Sequence, residues 1–185
     1  MPPFRPVRLG ARLCLAALAG AWLAAGVRAE PGPGLSEYEL KAAFIYNFAK
    51  FTEWPGEGAA ASFRFCVAGR DPFGEALDKL AERTVRNHPI AVFRGVEPDE
   101  AADCELLFLH GGDAAHRAAA LKHVAGRPVL TVGDDPGFIE GGGMIELMMV
   151  ENRVQFEVNL LAVKSAKLMI SAQLLRLARR VKGAD

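Results

Sequence analysis

The chain has 185 residues, 51% of them apolar, and its 22 basic residues are balanced by 22 acidic ones. That is enough for one domain with a substantial core. It is too little positive charge to draw in a phosphate backbone, so nucleic acid is not an expected partner.

The N-terminus reads as an export signal. Arg5, Arg8 and Arg12 form a basic front, an apolar run follows from Leu13 to Ala25, and Val27-Arg28-Ala29 offers small residues where a signal peptidase reads them. The run is short for a membrane span. We therefore expect cleavage after Ala29, periplasmic residence and a mature protein that does not itself span a membrane. Without residues 1–29 the chain keeps 18 basic against 22 acidic residues, a net charge of −4. Cys14 leaves with the signal. Cys66 and Cys104 remain, and in an oxidising compartment they suggest one disulfide. The other reading is two small buried hydrophobes that never meet.

Residues 30–35 form a Pro-Gly lead. Ser36 with Glu39 three positions on is a capping box, and Leu40, Phe44, Phe48 and Phe51 recur near helical spacing. The pattern predicts a helix over 37–52, ended by Pro55. Five aromatics, Phe44, Tyr46, Phe48, Phe51 and Trp54, crowd this stretch. They fit a core, a core with one face open to a partner, or both; large aromatics are enriched at interfaces.

Apolar strands are expected at 63–68, 90–93, 105–109 and 129–132, alternating with helices at 72–82 and 113–124. Strands apolar throughout and separated by helices imply a mostly parallel sheet covered on both faces. After Gly141-Gly142-Gly143 the pattern changes. Residues 144–150 and 153–158 are joined by Glu151-Asn152 alone, which demands an antiparallel hairpin. Asn159 is placed to cap a short helix over 160–166. Ser171 is placed to cap a last helix in which Leu174, Leu175, Leu177 and Val181 are apolar. The fold class is thus α/β, Rossmann-like, with a late hairpin and an extra N-terminal helix. It forms a single domain over 36–183, with no internal repeat.

Catalytic signatures do not emerge. The stretch Val132-Gly133-Asp134-Asp135-Pro136-Gly137 is glycine-rich, but it has neither GxGxxG nor GK[ST]. Adjacent carboxylates in such a turn are expected to point into water. His88, His110, His116 and His123 have no metal-ligand spacing and read as surface residues. No GxSxG is present. The segment Gly69-Arg70-Asp71-Pro72-Phe73-Gly74 follows the first long strand, where doubly wound folds bind small ligands. The sequence calls for no cofactor and no metal, and for no enzyme activity.

Two segments carry a resemblance. YELKAAFIYNFAKFTEWP (residues 38–55) and GGMIELMMVENRVQFEVNLLAVKSAKLMISAQLLRLARRV (residues 142–181) resemble the YfiR family. The strands FRFCVAG and ADCELLFL are similar to that family's cysteine-bearing strands. The resemblance implies a periplasmic Rossmann-like homodimer that restrains an inner-membrane diguanylate cyclase and so lowers cyclic di-GMP. It also implies redox sensitivity through disulfides, but the second cysteine pair of the best-known member has no counterpart in 142–158. For a binding regulator of this kind, Tyr46, Phe51 and Trp54 near the first helix are candidate partner contacts, with Glu157 and Asn159 of the FEVN segment. The alternative role is a periplasmic small-ligand sensor without a cyclase partner.

Overall fold

The structure, a computed structural model, describes residues 35–56, 61–112 and 114–184. The expected signal peptide and its cleavage point lie outside the described residues. Helix α1 (Glu37–Lys50) starts where the capping box predicts. The Glu39 amide donates to Ser36 Oγ at 3.2 Å and the Ser36 amide donates to Glu39 Oε2 at 2.9 Å. Its inward stripe is Lys41, Ala42, Ile45, Phe48 and Ala49, the 3–4 spacing of a helix that buries one face. Thr52 Oγ1 donates to the Phe48 carbonyl at 2.8 Å and closes the last turn.

The remaining elements follow in chain order: β1 (Thr52–Glu53), β2 (Phe63–Gly69), α2 (Glu75–Ala81), β3 (Thr84–Val85), β4 (His88–Val96), a 3₁₀ turn (Ala101–Asp103), β5 (Leu106–His110), α3 (Ala114–His123), β6 (Leu130–Gly133), β7 (Ile145–Val150), β8 (Arg153–Asn159), α4 (Leu160–Ser165), β9 (Met169–Ile170), α5 (Ala172–Leu175) and β10 (Arg180–Lys182). Eight strands make the main sheet in the order β10-β8-β7-β6-β5-β2-β4-β3, and β1 pairs with β9 in a separate ribbon. From β4 through β7 every pairing is parallel; β7–β8 is the antiparallel hairpin. The expected fold class is the observed one.

The sheet separates two apolar layers. Phe65, Val67, Leu106 and Phe108 face α1, α2, α4 and α5. The alternate residues Cys66, Ala68, Leu107 and Leu109 face α3, as period-two side-chain alternation requires. The disulfide forms on the α3 side: Cys66 and Cys104 are bonded, with their Cα atoms 6.0 Å apart. The 3₁₀ turn delivers Cys104 there just ahead of β5, with its amide hydrogen-bonded to the Ala101 carbonyl.

Three sequence expectations need correction. The last helix is a single turn, α5, followed by a strand: Arg180, Val181 and Lys182 pair in parallel with Glu157, Val158 and Asn159. Leu174 is buried as expected, Leu175 is half-buried and Leu177 is 70% exposed. Asp134 is not a solvated turn residue, since its side chain is only 3% exposed. His110 is not a free surface histidine either, because it is paired with that same aspartate.

Candidate functional site

The chain order places a topological switch beside β2. The chain leaves β2 for β4 on one side and leaves β5 for β6 on the other. The loops at the carboxyl ends of β2 and β5 therefore diverge and leave a crevice, where open α/β sheets bind ligands. Gly69 closes β2 there with φ +79°, and a Cβ added to it would lie 3.1 Å from the His110 carbonyl oxygen. Only glycine fits that approach comfortably.

A buried polar network floors this crevice. Lys41, on the inward stripe of α1, reaches Asp134 Oδ2 at 2.6 Å and Glu37 Oε1 at 2.5 Å. Asp134 follows β6 directly. Its Oδ1 lies 2.8 Å from His110 Nδ1, and its Oδ2 accepts from the Tyr38 hydroxyl at 3.3 Å. A carboxylate accepts only, so His110 Nδ1 donates to Asp134, and Nε2 is the ring nitrogen that this aspartate does not engage. Tyr38 packs edge-on against both His110 and Phe73, each at 5.5 Å between ring centroids. Burial and the neighbouring Asp134 charge push the Tyr38 hydroxyl above its ordinary pKa. Burial pulls the Lys41 ammonium down, but the hydrogen bonds to Asp134 and Glu37 outweigh it and hold the group above its ordinary value. The network ties α1 to the ends of β5 and β6 and leaves His110 partly exposed there.

The candidate partner residues are not gathered into one patch. Tyr46 is half-buried, its hydroxyl donating to the Thr84 carbonyl in β3 at 3.1 Å, at one margin of the sheet. Phe51 is half-buried as the C-cap of α1. Trp54 is half-buried, its Nε1 donating to the Glu105 carbonyl at 3.1 Å and its ring 5.3 Å from that of Phe63. Glu157 and Asn159 lie near the other margin and are buried. Glu157 pairs with Arg180, whose guanidinium also holds Glu140 at 2.7 Å. Asn159 Oδ1 caps α4 by accepting from the Ala162 amide at 3.2 Å, and its Nδ2 donates to the Ile139 carbonyl at 3.1 Å. Cys66 and Cys104 sit on the opposite side of the sheet from α1.

The FEVN segment is thus accounted for from inside the molecule, and so is the glycine-rich loop it touches. Glu146 accepts from the amides of Gly137 and Ile139, each at 3.2 Å. Phe138 wedges between Gly133 and Gly143, where an added Cβ would strike its ring. The loop is built to be held down by β7 and β8, not to cradle phosphate.

Sequence reasoning missed Lys41, Asp134 and His110. The position of Lys41 was a readable signal: it falls three residues before Phe44 and four before Ile45, on the stripe that must be buried. A family model described as YfiR/HmsC-like matches residues 38–179, from the tyrosine of the network to the last loop before β10. The chain belongs to the YfiR/HmsC-like family. Members are regulatory proteins rather than enzymes. This YfiR/HmsC-like chain is also similar to a solved structure, a conserved domain protein from Vibrio cholerae O1 biovar El Tor. Sequence identity is 12%, the match covers 80% of this chain, and the TM-score is 0.49. The chain spans 61% of that protein's length. Among the described residues, no helix is long and apolar enough to cross a membrane.

Proposed function

We propose that this protein is a periplasmic regulator that binds the periplasmic region of an inner-membrane diguanylate cyclase and lowers its output. The observation that carries this reading is the family match over residues 38–179. The Cys66–Cys104 bond supports it, because disulfides persist in oxidising compartments. A regulator of this kind needs no reactive side chain. It needs a higher affinity for the inactive form of its target, and about 5.5 kcal/mol of differential binding moves a target from almost wholly active to almost wholly inactive. A few rigid aromatic anchors supply energies of that order. Tyr46, half-buried like Phe51 and Trp54, is held by its own hydrogen bond to the edge strand β3 and borders an open groove. Phe51 and Trp54 offer partial faces of the same kind. Glu157 and Asn159 contribute by fixing β10 and the loop over residues 134–143 that shape the surface around them. The acting form is a homodimer, exported and cleaved to begin at Glu30.

Deleting the gene should raise cyclic di-GMP, and a secreted copy should restore it. Unchanged cyclic di-GMP in a deletion strain that expresses its inner-membrane cyclases would defeat the reading. One observation favours a second role as a small-ligand sensor: the partly exposed His110, paired with Asp134, stands at the carboxyl end of β5 beside the switch point. A ligand held there raises the thermal midpoint of the wild type and not of His110→Ala.

A further inference from the structure

Helices α1 and α2 leave between them a groove of about 440 Å³, bordered by Leu35 and Glu39 at one end and by Tyr46, Lys50 and Arg83 at the other. Its charges are unevenly matched. Lys79 neutralises Glu39 at 3.1 Å. Lys50 and Arg83 have no carboxylate partner among the described residues. Both instead stand over the Tyr46 ring, at 5.5 and 5.2 Å from its centroid. Around α2 the charges are sorted by sign. Ala76, Lys79, Leu80 and Arg83 face the groove, while Glu75, Asp78 and Glu82 fall on the other stripe of the helix, with Asp78 engaged by Arg94 at 2.8 Å.

Two cations without a carboxylate partner among the described residues, over a fixed aromatic ring and above a floor of alanine and leucine, match one kind of occupant. A guanidinium binds a carboxylate through paired hydrogen bonds and gives up an exposed ring contact to do so. The floor accepts small apolar side chains beside it. Resting on the regulator reading, we infer that this groove docks a peptide segment of the regulated membrane protein that carries a carboxylate flanked by small apolar residues. The basic end selects it: on a mature chain of net charge −4, it is a local reversal of sign that steers an acidic segment to one place.

The test is complementation of a deletion strain with full-length secreted variants, reading cyclic di-GMP, periplasmic abundance and the thermal midpoint. Lys50→Glu/Arg83→Glu places two acids against the incoming carboxylate and should weaken docking on the order of 100-fold or more, leaving cyclic di-GMP at the deletion level. A control reversal on the α3 side, Lys122→Glu/Arg127→Glu, should restore the wild-type level. If the groove variant accumulates poorly, Lys50→Gln/Arg83→Gln removes the charges without adding acid and should give an intermediate level at normal abundance. Full restoration by a normally abundant groove variant overturns the groove and leaves the regulator reading standing. Equal failure of the α3 control also overturns it, since the effect would then be one of net charge. No rise on deletion removes both.

Discussion

A lysine on the buried stripe of a helix is tolerable only if its charge is answered, and Asp134 and Glu37 answer Lys41 at 2.6 and 2.5 Å. Lys41→Met should therefore cost about 3–5 kcal/mol, because it leaves Asp134 buried without its cation. Lys41→Met/Asp134→Asn should cost less than the sum of the single changes, since the two groups act as a pair. Urea unfolding of the four proteins checks both statements. The pH dependence follows from Tyr38 and Lys41, both held above their ordinary values in the folded chain. Each binds its proton more tightly when folded. The stability they contribute is thus complete below the unfolded values, about pH 10 for both, and is lost as pH rises through the folded ones. The urea midpoint of the wild type should fall more steeply above that pH than that of Tyr38→Phe/Lys41→Met. At this scale the sequence was half legible. The burial of Lys41 could have been read from helical spacing, since it lies three and four residues before Phe44 and Ile45, but the expected stripe ran through Leu40 instead. The His110–Asp134 pair could not, because it depends on two residues 24 apart meeting beyond the parallel register of β5 and β6.

Elements were legible wherever their signals were local. The capping box started α1, and the two-residue connection forced the β7–β8 hairpin. The C-terminal segment failed because its leucines fit a helix while its arginines answer distant acids. Glu140 and Glu157 hold Arg180, and the Phe156 carbonyl accepts from the Arg179 amide, so the chain straightens into β10 after one helical turn. Two substitutions separate the outcomes. Leu174→Ala should cost about 2–5 kcal/mol, and Leu177→Ala, on a side chain 70% exposed, should stay within about 0.5 kcal/mol. Denaturant midpoints would distinguish them, and equal costs would restore the longer helix. The hairpin turn carries a correctable defect. Glu151 and Asn152 both have positive φ, 48° and 60°, and a two-residue turn of that kind favours Asn or Gly at its first position. Glu151→Asn should stabilise the protein by up to about 1 kcal/mol, since asparagine escapes part of the roughly 1–2 kcal/mol left-handed cost of an ordinary side chain.

For the molecule as a whole, the α/β alternation and the late hairpin carry the architecture in the sequence pattern itself. What pattern could not supply was the order of the strands and which ends meet, since those depend on crossovers and not on periodicity. The disulfide belongs to this scale because it fixes the approach of β5 to β2 across a separation of 38 residues. Closing a loop that long is worth roughly 4 kcal/mol in the chain-entropy account. Cys66→Ala/Cys104→Ala should lower the unfolding free energy by about 2–5 kcal/mol, and denatured, unreduced protein should titrate as free of thiols at these two positions. Two reactive thiols per chain would show the bond absent.

The three residues of β10 have a further consequence. Among the described residues they are the strand that pairs with the outer side of β8, at Glu157, Val158 and Asn159. A chain cut before Arg180 would lose almost no core. It would, however, bare the outer N–H and C=O groups there beside the exposed Leu177 and offer them as a template on which another molecule can add a strand. Such a truncation should lower the thermal midpoint, because buried Glu157 loses Arg180, and it should also scatter light in proportion to its concentration, so that the last strand protects shelf life as well as folding.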